Sequence, residues 1–116
     1  MAGYLTTHVL DTAQGHPAHG MAITLWRVAG ETRDLLTEAV TNADGRTDAP
    51  IMPEDAFRIG SYELVFQAGD YFRAQGFRDD PLFLERIPIR FGMNEAVHYH
   101  VPLLLSPFGY STYRGS

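Results

Sequence analysis

Turn-forming residues recur at short intervals along this chain, and the side chains between them alternate with a period of two. Glycine, proline, asparagine and aspartate are the residues that tight turns require, and they cluster from Gly15–Pro17 through Asp44–Gly45 to Ser106–Gly109. A two-residue period is typical of a β-strand that buries one face. The spacing leaves room for short strands only, so the sequence predicts an all-β protein.

The alternating segments define the expected elements. Asp34–Thr41 is the least secure, because Leu35-Leu36-Thr37-Glu38 is also compatible with a helix, and Ala68–Gly76 is the one good helix candidate. Seven or eight short strands with one helix predict a Greek-key β-sandwich. The predicted strands are Tyr4–Leu10, Met21–Val28, Asp34–Thr41, Ser61–Gln67, Phe83–Phe91, Ala96–Leu105 and Gly109–Tyr113.

A proline interrupts the longest predicted strand. Pro102 lies within Ala96–Leu105, and proline has no N–H group to donate to a neighbouring strand. Its nitrogen must therefore face a sheet edge, a bulge or an opening between subunits.

Size and composition exclude several classes of protein. The chain has 116 residues, which predicts a single domain over residues 1–116. A small domain without disulfide or metal cross-links often buries more apolar surface by forming oligomers. The absence of cysteine excludes disulfides, thiolate catalysis and cysteine-ligated zinc. All nine basic residues are arginine, which excludes lysine Schiff bases. A net charge of −5 argues against nucleic-acid binding, and no apolar run is long enough to cross a membrane.

Histidines are the main candidates for acid–base chemistry near neutral pH. His8 lies in the first predicted strand, and His98 and His100 share one face of a later strand because they are two residues apart. They could be ordinary surface residues or a metal pair. A metal site needs further ligands, which only His16 and His19 in a turn could supply, so we expect no metal.

Arg46 and the closing segment Tyr110–Ser116 are the other candidates. Arg46 follows a tight turn and could be a solvated loop charge or a planar donor to an oxyanion. The closing segment could be a disordered terminus, but it follows a strand directly and carries tyrosine, arginine and serine. The residue types alone therefore indicate a small acidic β-sandwich with histidines and arginines that could converge.

Three blocks of sequence resemble the transthyretin-related family, and within it the 5-hydroxyisourate hydrolases. They are Leu5–Asp11, with Gly15 and Pro17 after it, Thr41–Arg46, and His98–Ser116. The closing Tyr-Arg-Gly-Ser is the family signature that separates the hydrolases from transthyretin. The blocks extend over essentially the whole chain.

The resemblance implies a transthyretin-like Greek-key sandwich of two four-stranded sheets with one short helix. It implies a homotetramer, a dimer of dimers, with sites in the channel between the dimers. The implied reaction is hydrolysis of 5-hydroxyisourate to 2-oxo-4-hydroxy-4-carboxy-5-ureidoimidazoline in urate degradation, with no cofactor and no metal. It begins with histidine-assisted attack of water on a ring carbonyl. Since no leader segment is recognised, we expect a cytoplasmic protein.

The family's functional positions map onto individual residues of this sequence. His98 receives less weight than its neighbour His100. A transthyretin-like binding protein for a small hormone-type ligand and a purely structural sandwich module are the alternatives. The expected catalytic residues are His8, Arg46, His100 and Ser116, and the expected substrate-binding residues are His8, Arg46, Tyr113 and Arg114.

Overall fold

In the computed structural model, which describes residues 2–115, two four-stranded β-sheets stack face to face. The strands are β1 (Tyr4–Asp11), β2 (His16–Pro17), β3 (Ala22–Ala29), β4 (Thr32–Val40), β5 (Gly60–Gln67), β6 (Arg86–Met93), β7 (His98–Ser106) and β8 (Gly109–Thr112). The sheet orders are β2-β1-β7-β8 and β4-β3-β5-β6. Within residues 2–115 there is one α-helix, α1 (Ala68–Ala74), and one 3₁₀ helix, Glu54–Ala56. Neither helix is long and apolar enough to cross a membrane.

The two central strands of the first sheet separate an apolar inner face from a polar outer face. Along β1, Leu5 and Val9 are fully buried between the sheets, whereas His8 and its even-numbered neighbours face outward and are only half-buried. β7 follows the same rule, with Leu103 and Leu105 inside. This alternation is what a strand with one buried face requires, and it puts the polar side chains of both strands on one surface.

The expected two four-stranded sheets and single short helix are confirmed. Asp34–Thr41 lies mostly in strand β4, so its helical alternative is wrong. Strand β2 was expected to be only a turn: two residues are too few to show a period, yet Pro17 pairs with Leu10.

The strand expected over Phe83–Phe91 begins later, at Arg86, and continues to Met93. The backbone oxygen and the carboxylate of Glu85 form hydrogen bonds outside the sheet. Its backbone oxygen accepts the N–H of Gly69, at 2.8 Å, and its carboxylate accepts the N–H of Leu82, at 2.7 Å. The chain before Arg86 is therefore held against α1 and the preceding loop, outside the sheet.

Pro102 interrupts the pairing between β7 and β8 without shifting its register. The last paired residues of β8 place Thr112 opposite Leu103, and an isolated bridge then places Gly115 opposite His100, three residues further along each strand. The Thr112 hydroxyl donates to the Pro102 carbonyl at 2.7 Å. Of the surroundings predicted for the proline nitrogen, a sheet edge is the one observed, because β8 ends opposite it.

A tight turn over residues 42–46 fixes where Arg46 lies. The Asn42 side-chain oxygen accepts the N–H groups of Asp44 and Arg46, and the Gly45 carbonyl accepts the N–H of Val9 at 2.8 Å. Gly45 has φ +76°, and a Cβ there would contact the Val9 carbonyl oxygen. Only glycine tolerates both the positive φ and the close approach of the Val9 carbonyl. The turn thereby places the backbone of Arg46 in an isolated β-bridge with that of His8.

We predict that Gly45→Ala destabilises the protein more than Gly15→Ala does. Both glycines have positive φ, but a Cβ on Gly15 would meet nothing within 4 Å. Gly15→Ala should therefore cost only the left-handed backbone, about 1–2 kcal/mol. Gly45→Ala adds a clash with strand β1 and should cost roughly 3–4 kcal/mol. Urea unfolding at one fixed protein concentration measures both, and equal losses would contradict the packing argument.

Candidate active site

The outer face of the first sheet carries three imidazoles close together. The His8 and His100 ring centroids are 6.5 Å apart, and those of His98 and His100 are 6.2 Å apart. The pairing of β1 with β7 brings them together, because it places His8 opposite Pro102 and Thr6 opposite His100. The expectation that His98 and His100 share one face is confirmed, and the strand pairing adds His8 to that surface. One small molecule lying between the rings could contact more than one of them.

His8 is anchored through one of its two ring nitrogens. Its Nε2 lies 2.8 Å from the backbone oxygen of Asp44. A carbonyl oxygen can only accept, so Nε2–H donates to it. In the neutral imidazole the remaining nitrogen, Nδ1, therefore carries the lone pair.

His98 and His100 are joined by a hydroxyl group. Thr6 Oγ1 lies 2.7 Å from His98 Nε2 and 2.8 Å from His100 Nδ1. The Tyr4 ring stacks on the His98 ring, with centroids 4.1 Å apart and planes 4° from parallel. Sequence reasoning did not select Thr6. Its only signal was its position two residues before His8, on the same face of one strand.

Arg46 acts electrostatically on His100. Burial lowers the pKa of His100 below its usual value, and the Arg46 charge lowers it further, followed by His98 and His8. Both causes disfavour the imidazolium form, so His100 is a neutral imidazole at pH 7. Arg46 and Thr6 also line a cavity of about 150 Å³ that extends along residues 47–50.

The end of the chain reaches His100 through its backbone, while Arg114 turns to the opposite face. The Gly115 N–H donates to the His100 carbonyl at 2.7 Å. The Arg114 guanidinium lies over the Tyr99 ring, 4.3 Å from its centroid, and with Tyr113 it lines a cavity of about 290 Å³ at the open edge between the sheets. One chain therefore does not bring the Arg114 side chain together with the histidines. Ser116 lies outside the described residues.

Possible metal ligands are not grouped in this part of the molecule. Among residues 2–115, no three histidine, aspartate or glutamate side chains lie close enough together to hold a metal ion.

Known proteins resemble this chain over nearly its full length. The model of the HIUase/Transthyretin family matches residues 5–115. A 5-hydroxyisourate hydrolase of Mesorhizobium japonicum is 63% identical over 115 residues, which cover 98% of this chain and 93% of that protein. The crystal structure of an (S)-allantoin synthase superposes with a TM-score of 0.90 at 48% identity over 98% of this chain, which spans 44% of that longer protein. The Klebsiella pneumoniae 5-hydroxyisourate hydrolase structure gives 0.82 at 35% identity, covering 98% and 94% of the two chains.

We predict that Arg46→Gln raises the pKa of His100. The substitution removes a positive charge that disfavours the imidazolium, while burial still holds the pKa below that of a free histidine. A histidine-resolved NMR titration measures the shift. Arg86→Gln is the matched control, because Arg86 is an exposed arginine on the other sheet. If both variants leave the His100 titration unchanged, Arg46 does not act on His100.

Proposed function

This chain belongs to the HIUase/Transthyretin family, and we propose that it hydrolyses 5-hydroxyisourate to 2-oxo-4-hydroxy-4-carboxy-5-ureidoimidazoline in urate degradation. The observation that carries the proposal is the outer face of the first sheet, where a neutral His100 lies near His8 and Arg46. The relative that is 63% identical bears the name of this activity. A cytoplasmic location stays a prediction.

The product indicates which bond is opened. A new carboxyl group and a new ureido group are what remains when water opens a ring amide. In the proposed reaction the water oxygen bonds to the ring carbonyl carbon, the carbon–nitrogen bond breaks, and the departing nitrogen takes up a proton. A base must therefore accept a proton from water, and an acid must return one to nitrogen.

His100 is the residue best suited to accept the proton. Its pKa is lowered by burial and by Arg46, so it is neutral at pH 7 and can act as a base. Its Nδ1 is engaged by Thr6 at 2.8 Å, which leaves Nε2 for the water. The imidazolium formed in this step can then return its proton to the departing nitrogen, so that one residue serves both steps.

Arg46 and His8 act on the substrate in this proposal. Charge develops on the carbonyl oxygen as water attacks, and a guanidinium held beside that oxygen stabilises it. The backbone β-bridge between Arg46 and His8 holds these two residues side by side, and the Asp44 carbonyl fixes the His8 ring before substrate arrives. His8 then orients the water or the substrate ring through its free Nδ1.

We also propose that the site is completed by assembly into a homotetramer. Ligand sites usually enclose about 300–1,000 Å³, whereas the cavity beside Arg46 in one chain holds about 150 Å³. The same outer face carries Leu10 and Leu104, which lie opposite each other in the strand register and are only half-buried in a single chain. A second copy against this face would bury the leucines and enclose the substrate. Tyr113 and Ser116 would close the pocket in that assembly, whereas Arg114 lies over Tyr99 on the other face of the sheet.

The first test is hydrolysis itself, with histidine variants. The purified protein should accelerate the loss of the ultraviolet absorbance of freshly generated 5-hydroxyisourate above the spontaneous decay. His8→Asn and His100→Asn should lower the rate by on the order of 10²–10⁴, the usual contribution of acid–base catalysis. His16→Asn and His19→Asn are the controls, because both residues are exposed and neither belongs to the group of three imidazoles, and they should be nearly silent.

Three outcomes would contradict this proposal. A wild-type rate equal to spontaneous decay removes the hydrolase function and favours a binding protein. Full activity in His100→Asn with none in His98→Asn transfers the base to His98. A silent His8→Asn removes His8 from the reaction.

We predict a mass near four times 13.0 kDa by light scattering at micromolar concentration. Leu104→Arg should reduce it, because symmetric copies would bring like charges together at the interface. Val40→Arg is the control, since Val40 is exposed on the other sheet. A monomer mass for the wild type would exclude a site shared between copies.

A further inference from the structure

Thr6 and His98 are both linked to the proposed base, but the reaction described above gives His98 no role and uses Thr6 only as the partner of His100 Nδ1. The Thr6 hydroxyl lies within hydrogen-bond distance of a ring nitrogen on each of two histidines, at 2.7 Å and 2.8 Å. A hydroxyl has one proton to donate and lone pairs with which to accept. The protons on the two facing nitrogens are therefore not independent of each other.

If the Thr6 hydroxyl donates one hydrogen bond and accepts another, the protons on the two imidazoles can be arranged in two ways. In the first, His100 Nδ1–H donates to Thr6, and Thr6 donates to His98 Nε2. In the second, His98 Nε2–H donates to Thr6, and Thr6 donates to His100 Nδ1. A neutral imidazole carries its single proton on one nitrogen. The first arrangement therefore leaves a lone pair on His100 Nε2, and the second places a proton there.

We propose that Thr6 and His98 are positioning residues that hold His100 in the first arrangement, with Nε2 free to take the proton from water. This inference rests on the proposed function, in which His100 is the base. The second arrangement is incompatible with that role, because His100 Nδ1 would be occupied by Thr6 and Nε2 would already carry a proton.

The surrounding contacts fix the linked groups. Thr6 is paired with His100 in the strand register, so its hydroxyl is presented at the level of the His100 ring. Threonine is stiff about its first side-chain torsion. The Tyr4 ring, stacked at 4.1 Å, holds the plane of His98.

The first arrangement also persists through the reaction. When water gives its proton to Nε2, the His100 imidazolium still carries Nδ1–H and still donates it to Thr6. No hydrogen bond in the linked group has to reorganise as the charge forms, which is the condition for effective preorganisation. No proton crosses Thr6, so the proton balance of the hydrolysis is unchanged.

The test compares Thr6→Val with Thr6→Ser. Valine keeps the shape and removes the hydroxyl, whereas serine retains it. Thr6→Val should lower kcat by on the order of tenfold or more, since a catalytic histidine in the wrong tautomer loses much of its activity, with a smaller change in KM. Thr6→Ser should restore most of the rate. Thr24→Val is the matched control, because the Thr24 hydroxyl accepts the Trp26 indole N–H on the other sheet, and its kcat should be unchanged.

A spectroscopic measurement needs no substrate. Nitrogen-15 NMR of histidine-labelled protein, well above the ordinary histidine pKa of about 6.5, reports which ring nitrogen carries the proton. The wild type and Thr6→Ser should show His100 as Nδ1–H with a bare Nε2, and Thr6→Val should lose this preference. His98→Gln, whose side-chain oxygen can accept from Thr6, should retain it better than His98→Met.

The outcomes separate this inference from the proposed function. An active wild type whose His100 is Nε2–H overturns the inference and leaves the hydrolase intact. So does an active Thr6→Val with wild-type kcat and tautomer. A wild type without hydrolysis above spontaneous decay overturns the proposed function, and this inference with it.

Discussion

β7 pairs in parallel with the whole length of β1, from Tyr4 opposite His98 to Asp11 opposite Leu105. Side chains on a strand alternate between faces, so a slip of one residue in either strand would move its whole apolar set to the outer surface. The burial of Val9 and Leu103 between the sheets fixes the register. The same register places Thr6 beside His100, and the site therefore depends on the core.

The two-residue period of the sequence predicted which face of a strand each side chain occupies, but it could not predict which distant residues that side chain contacts. A two-residue period placed His98 and His100 on one face, and that prediction is confirmed. It could not show that Thr6 joins them, because Thr6 is 94 residues from His100 and only the pairing of β1 with β7 brings them together. The inner-facing position of Arg114 could not be predicted for the same reason. It follows from the pairing of the residues after Thr112 with the part of β7 that precedes Pro102.

The break at Pro102 explains a local requirement of the chain's last residues. Because β8 ends at Thr112, the following residues are joined to β7 through one backbone contact, from Gly115 N–H to the His100 carbonyl at 2.7 Å. A Cβ on Gly115 would lie 2.7 Å from His100 Cδ2, closer than side-chain atoms approach each other. The glycine of the closing Tyr-Arg-Gly-Ser thus lets the chain pass beside the His100 ring without displacing it.

The charge near His100 has opposite consequences at the two steps of the proposed reaction. Before water attacks, burial and Arg46 lower the pKa of His100 and keep it neutral, which supplies a base. Once His100 has taken the proton, the same surroundings destabilise its imidazolium. The carbonyl oxygen becomes negative at that moment, and its attraction to Arg46 offsets part of the repulsion. When the carbonyl re-forms, this compensation disappears, and the remaining repulsion drives the proton from His100 to the departing nitrogen.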